Sequence, residues 1–441
     1  MTSHIVLGSG GGISGLCLAV LLCRDPNIQV DMYESASRFA EIGAVRPYVT
    51  WASALADALH HKGVMIWSRT WKIFESIGLA EDFSRIAHSP PDGSIGVGFD
   101  YRRSDQAEEG FRFRLVEMAY GCIRFHRAHF LDVLVNRLPP GVAHFGKRLA
   151  AYSEDSETET VTLSFVDGTT ETCDLLVGCD GIKSTIRKQM FAEEGGHDPV
   201  FTGTIAYRGL IPVSALCSNG AAHRTVSTPM MYCGKNKHVV SYSISQGSIV
   251  NVVTLRSEPE REGSTYPDST WVTECSRQEL LDCYAGWEPE VIEMLQLIET
   301  PTRWALHHLR PLSHFVKRRV VLVGDAAHAM SPHQGAGAGQ AIEGPLYFDA
   351  FVLAHLLKKS TSSTLHLACE AYQHVRLPLA NRVLRGSYES GMMYEFASEF
   401  GDDYLRLGPA IEKQWAWIDE TEPVEDLQRA VEYYESLLSD T

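Results

Sequence analysis

The chain has 441 residues, 44% of them hydrophobic and 21% charged, enough for two or three domains with large cores. A formal net charge of −16, with no standout Lys/Arg cluster, is the wrong balance for a broad nucleic-acid groove. The ten cysteines are scattered without a C-x-x-C pair, and no apolar run approaches the roughly 20 residues of a bilayer span.

These features predict reduced thiols, no metal site, no membrane span and a cytoplasmic protein, since the N-terminus runs straight into a strand without a visible signal peptide. Residues 5–7 form a short apolar run followed at once by glycines. Residues 13–23 then carry a helical apolar pattern, and 30–33 read as the next strand. Further buried strands are expected at 175–177 and 320–323, each running into an acidic residue beside a small one. Between them lies a β-rich block, roughly 197–302, with strands at 204–211, 238–244 and 248–255 and a helix at 278–297. A long helical pattern follows the strand at 320–323, and a helical tail runs from about 381.

Gly10-Gly11-Gly12-Ile13-Ser14-Gly15 fits G-x-G-x-x-G after a strand and at the start of a helix. Gly10 permits the tight turn, Gly12 lets backbone approach a pyrophosphate, and Gly15 lets helix and strand pack closely. Helix N–H groups and the dipole would hold the negative charge. Glu34 follows 24 residues after Gly10, at the end of the second strand, where a carboxylate can accept from an adenosine ribose. An acid there favours FAD or NAD over a 2′-phosphorylated nucleotide.

Two further motifs follow. One is Asp174-Leu175-Leu176-Val177-Gly178-Cys179-Asp180-Gly181, continuing to Arg187. The other is Val323-Gly324-Asp325-Ala326-Ala327-His328, then Pro332-His333-Gln334-Gly335-Ala336-Gly337-Ala338-Gly339-Gln340. In this order, the three motifs resemble those of the group A flavoprotein monooxygenases. The string 332–340, Trp415-Ala-Trp417 and Arg303-Trp304-Ala305-Leu306 look most like salicylate hydroxylases and related fungal phenolic-acid hydroxylases of secondary metabolism.

The resemblance implies an α/β fold: a discontinuous Rossmann-like FAD-binding domain of the glutathione-reductase type, an inserted β-rich substrate domain and C-terminal helices. The expected partition is 1–92, 118–196 and 303–380 for FAD, 93–117 and 197–302 for substrate, and 381–441 for the C-terminal helices. It also implies an NAD(P)H-consuming hydroxylase of phenolic or aromatic acids. NADPH or NADH docks transiently and reduces FAD, and O2 then gives a C4a-hydroperoxide that an electron-rich phenolate attacks. CO2 leaves where the attacked carbon carries a carboxylate. A homodimer is compatible with these features.

The expected cofactor-binding set is Gly10, Gly12, Gly15, Glu34, Ala44, Arg127, Asp180, Asp325, Gly335, Gly337, Ala338 and Gly339. Asp325 would accept from a ribityl or ribose hydroxyl, and glycines 335, 337 and 339 would let backbone pass close to the isoalloxazine. A helix starting there would favour the anionic reduced flavin. Arg127 matches a family arginine that contacts FAD, with a surface salt bridge as the alternative. On the substrate side, Arg208 and Tyr242 would hold a carboxylate or phenolate. The bland alternative is a structural cation and a half-buried tyrosine. His333 would bind or deprotonate the phenol, or serve structure alone. His328 is expected to be structural.

Two segments depart from the family pattern. Family members read E-I-G-A-G, whereas here Glu41-Ile42-Gly43-Ala44 is followed by segment 45–62 and only then by Gly63. Removing those 18 residues restores the pattern. Valine codons begin GT and one lysine codon ends AG, so a retained short intron fits, with a genuine surface loop as the alternative. Deleting 344–348 likewise restores the family's A-I-E-D-A. Competing readings are an FAD-dependent epoxidase acting on a non-aromatic substrate, and a flavoprotein inactivated by the two insertions.

Overall fold

The computed structural model describes residues 3–8, 10–39, 63–88, 91–217, 222–337 and 349–440. Ala44, Ala338, Gly339 and the segments 45–62 and 344–348 lie outside the described residues.

A six-stranded sheet is ordered Val316–Lys317, Val320–Leu322, Leu175–Gly178, Ser3–Gly8, Ile28–Glu34 and Ala143–Phe145. All neighbours are parallel except the first pair. Parallel strands buried on both faces read as continuous apolar runs, which is why 5–7, 175–177 and 320–323 stand out in the sequence. The helix Ile13–Leu22 is buried along its whole length, so it belongs inside the molecule rather than on its surface. A three-stranded antiparallel meander, formed by Leu149–Asp155, Thr160–Phe165 and Thr170–Cys173, lies between the first and second motifs in sequence.

The second large sheet has eight strands, ordered Val272–Glu274, Thr302–His308, Val200–Pro212, Ile249–Ser257, Lys237–Ile244, Met230–Gly234, Ile95–Arg103 and Phe111–Ala119. Its strands therefore come from both sides of the second motif. Thr302–His308 extends this sheet past the expected boundary at 303, because it pairs with Val200–Pro212 through Arg208 opposite Thr302 and Ile205 opposite Ala305.

One face of this sheet packs on Arg277–Cys283 and Pro289–Gln296, with Tyr207, Val252, Leu280 and Met294 in the core between them. The single helix expected over 278–297 is thus two. Gly286 breaks it with φ +83, and Pro289 starts the second helix at a position where its missing N–H is harmless. The other face meets the helix Leu365–Tyr394 and the C-terminal turns through Trp67, Phe99, Tyr394 and Trp415. Leu365–Tyr394 runs unbroken through 381 despite Pro378, so the chain has no break where the C-terminal segment was expected to begin. No helix among the described residues is long and apolar enough to cross a membrane.

Candidate active site

One cavity of about 450 Å³ opens between the two large sheets. Its lining joins Gly12, Ser14, Arg127 and Asp325 on one side to Arg208, His238 and Tyr242 on the other, with Pro332, His333 and Gly335 between.

The first wall is built from places where atoms are missing. A Cβ on Gly15 would fall 2.3 Å from the Gly10 carbonyl oxygen, so helix and turn can approach only with glycine there. Gly12 precedes the helix Ile13–Leu22 and has nothing within 4 Å of where a Cβ would stand, leaving its backbone open to the cavity. Glu34 accepts from the Gly11 N–H at 2.9 Å and the Ala36 N–H at 2.8 Å, which pins the second strand's acid beside the turn. Gly324 adopts φ +60, and a Cβ on it would collide with Ser14 Oγ, so the third motif abuts the first.

Asp325 is exposed to the cavity, with protein packed densely around the rest of it. Burial raises its carboxyl, against the pull of His328, Arg127 and Arg187. Gly335 takes φ +57 where any Cβ would strike Met65, and Gly337 lines the same cavity.

Asp180 behaves differently. Its carboxylate accepts from the Ser184 hydroxyl and from the Thr185 and Ile186 N–H groups, at 2.7 and 3.1 Å, capping the helix Thr185–Met190. It is Cys179 and Gly181 on either side that line the cavity, so Asp180 shapes the loop through its cap. Arg187, at the end of the same motif, donates to the Ala326 carbonyl at 2.9 Å and ties the second motif to the third.

The floor follows the two-residue period of strands. His238, Val240 and Tyr242 project from Lys237–Ile244, and Asn251, Val253 and Leu255 from the neighbouring strand, with Arg208 paired beside Val253. Tyr207 points to the opposite face, where its hydroxyl reaches Glu279 at 3.1 Å. Arg208 has no carboxylate partner among the described residues, and its buried Nε has no hydrogen-bond acceptor. Its guanidinium stands 5.0 Å from the centre of the Trp304 ring. Burial lowers its pKa, with nearby Tyr242 acting in the opposite direction. His333 is buried and neutral: burial and His238 beside it lower its pKa to about 3.

Residues 53–387 match the family described as "FAD binding domain". The chain is 38% identical over 419 residues to salicylate hydroxylase of Pseudomonas putida, covering 93% of this chain and 90% of that one. It is 36% identical over 403 residues to 6-methylsalicylate 1-monooxygenase atA of Aspergillus terreus, covering 89% and 83%. A solved salicylate hydroxylase substrate complex matches with a TM-score of 0.81 at 30% identity, covering 97% of this chain and 98% of that one.

The protein is an FAD-dependent aromatic monooxygenase of the salicylate hydroxylase family. The described residues fit the cofactor such a monooxygenase needs. Gly12 offers open backbone, Glu34 and Asp325 offer acceptors for hydroxyls, and the left-handed Gly335 lets the loop pass without side-chain bulk.

The motifs alone did not reveal what holds this monooxygenase's loop in place. Trp417 Nε1 donates to Gln334 Oε1 at 3.1 Å, Trp67 Nε1 donates to the Gln334 carbonyl at 3.2 Å, and Gln334 Nε2 donates to Ser390 Oγ at 3.0 Å. Trp415 packs edge-on against Trp67 at 4.8 Å. The Trp-Ala-Trp string is therefore a clamp on the glycine loop, a role its distance in sequence conceals.

Asp349 was missed as well. Fully buried, it accepts from Gly324 N–H (2.8 Å), His328 Nε2 (2.9 Å), Tyr372 Oη (2.6 Å) and Arg376 Nε (2.8 Å). Burial alone would raise its carboxyl, but Arg376 and His328 outweigh it and hold the value at about 2. The hub orients the Gly324-Asp325 turn, and the expected structural role of His328 lies in this contact.

Proposed function

We propose that this monooxygenase hydroxylates a phenolic aromatic acid at the expense of NAD(P)H, with loss of CO2 where the attacked carbon bears a carboxylate. The carrying observation is Arg208: a guanidinium crowded by protein and without a carboxylate partner among the described residues, lining the same cavity as Gly12 and Asp325. A cation so placed needs an anion, and a ligand carboxylate or phenolate supplies one. Bound FAD would supply electron transfer from NAD(P)H and activation of O2, held by Gly10, Gly12, Gly15, Glu34, Arg127, Asp325, Gly335 and Gly337.

The chain's own task is positioning. Arg208 binds the anionic end of the ring, and Tyr242 offers a hydroxyl beside it. Val240, Val253 and Leu255 give the ring an apolar floor that excludes water. A neutral His333 can accept the phenolic proton, which a protonated imidazole cannot. Ala44, Ala338 and Gly339 complete the proposed cofactor set, and Asp180 contributes through its helix cap.

The test is the visible spectrum of the purified protein, followed by NAD(P)H oxidation with phenolic acids and product identification. Flavin bound near stoichiometry, with oxidation stimulated by phenolic acids, supports the reading. Stimulation only by a non-aromatic alkene would replace it with epoxidation, and a colourless protein that takes up no added FAD would reject it.

A further inference from the structure

Behind His333 stands a chain of buried groups that the proposed function does not use. His333 Nδ1 lies 3.4 Å from His238 Nε2, and His238 Nδ1 lies 2.8 Å from Glu395 Oε1. The three are brought together from the glycine loop, the sheet floor and the C-terminal end of the helix Leu365–Tyr394. His238 and Glu395 are fully buried, while both histidines line the cavity. Gly391 keeps space beside the His333 ring, since a Cβ there would stand 2.5 Å from Nε2 and Cδ2.

We propose that Glu395, acting through His238 and His333, takes up the proton that a phenolic substrate loses in the cavity. The inference rests on the phenolic-acid reading above. With Glu395 ionised, His238 carries its proton on Nδ1 to donate to the carboxylate. His238 Nε2 then accepts from His333 Nδ1–H, which leaves a lone pair on His333 Nε2. When the phenol proton arrives at Nε2, the Nδ1 proton passes to His238 Nε2. The His238 Nδ1 proton passes in turn to Glu395. One phenol and one carboxylate become one phenolate and one carboxylic acid, so no charge is created or lost. The new anion lies in the cavity that Arg208 lines, whereas the old one had no such partner.

The surroundings of Glu395 suit it to this exchange. The groups facing it include His238, His333, Cys233, Tyr284, Tyr388 and the Ser257 hydroxyl, whose hydrogen bond works against burial, and among the described residues no lysine or arginine pairs with it. Its Oε2 makes no hydrogen bond within normal geometry among the described residues. Burial raises its carboxyl to about 7, poised to take or give a proton near neutrality. Burial also lowers His238 to about 3, as it does His333, so neither imidazole stores the proton as a cation at neutral pH. They conduct it instead. Glu395 is thus a positioning and proton-accepting residue that never touches the substrate.

The probe is a nitrophenol bearing a ring carboxylate, mixed with holoenzyme in weak buffer containing a pH indicator, at about one pH unit above the Glu395 value. The expected result is a phenolate band from the bound probe with no matching proton release into solution. In Glu395→Gln, the bound phenolate fraction is expected to fall about tenfold, equivalent to one pH unit. Glu395→Asp is expected to restore part of it. One proton released per phenolate in the native enzyme, a bound phenol that stays neutral, or an unchanged phenolate fraction in Glu395→Gln would each overturn the relay. If Glu395→Gln fails to retain FAD, the native proton count decides alone. A holoenzyme that binds no phenolic acid overturns both readings, whereas one that turns phenolic acids over while releasing the proton overturns the relay only.

Discussion

The two sides of the cavity are specified in opposite ways. The glycine-built wall depends on atoms that are absent: at Gly15 and Gly324 an added Cβ would strike neighbouring atoms within 2.3 Å. The sheet floor depends on side chains that are present, and their identities can change without disturbing the ladder that carries them. Arg208, Val253 and Val240 sit abreast on three strands. The wall therefore constrains backbone for a cofactor, whereas the floor can vary to suit a substrate. In such a protein, damage to the wall should remove flavin, and damage to the floor should change ligand preference while flavin stays.

The sharpest way to break this comparison is Gly15→Val. The new side chain has no room against the Gly10 carbonyl, and the expected outcome is purified protein without a flavin spectrum. Flavin retained near stoichiometry would show that the wall is less demanding than its geometry.

Asp349→Ala comes next. It removes the carboxylate that buried Arg376 and His328 share, and a loss of about 3–5 kcal/mol in unfolding free energy is expected. The same hub sets an acid limit. Asp349 is held at about 2 in the folded protein against an ordinary carboxyl value of 3.8, so its stabilisation is fully present above about 4. That contribution is lost as pH falls towards 2. Asp349→Asn should flatten the pH dependence of thermal stability in this window, and an unchanged slope would remove Asp349 from the account.

Arg208→Ala probes the floor. It should weaken binding of acidic aromatic ligands by about tenfold or more, the worth of a charge-assisted hydrogen bond, while sparing neutral analogues and flavin. Equal losses for acidic and neutral ligands, measured by titration of the holoenzyme, would argue against anion binding. The smallest effect is expected from Trp417→Phe, which deletes one hydrogen bond to Gln334 at about 1 kcal/mol. Equilibrium dialysis should show FAD held less than about tenfold more weakly, with substrate preference unchanged.

Much of this molecule could be read before it was folded. The three motifs and their flanking strands were legible because each is local: an apolar run, a turn that only glycine fits, and an acid within a few residues. The strand over 238–244 that carries Tyr242 was legible in the same way. The helix expected over 278–297 failed on Gly286, whose left-handed conformation outweighs the apolar pattern on both sides. Asp180 was expected among the cofactor residues, whereas its carboxylate turns onto its own helix.

Contacts between distant segments left no local trace. His238 and Glu395 are 157 residues apart, and Gln334 and Trp417 are 83 apart. Composition and local pattern determined the parallel sheet, the glycine turns and the family, because backbone geometry is decided by neighbouring residues. Tertiary structure decided which buried charges have partners. Among the described residues it left Arg208 without a carboxylate, gave Asp349 four donors and set Glu395 beside His238. The reason is that the electrostatic energy of a buried group depends on what surrounds it in space, whatever its position along the chain.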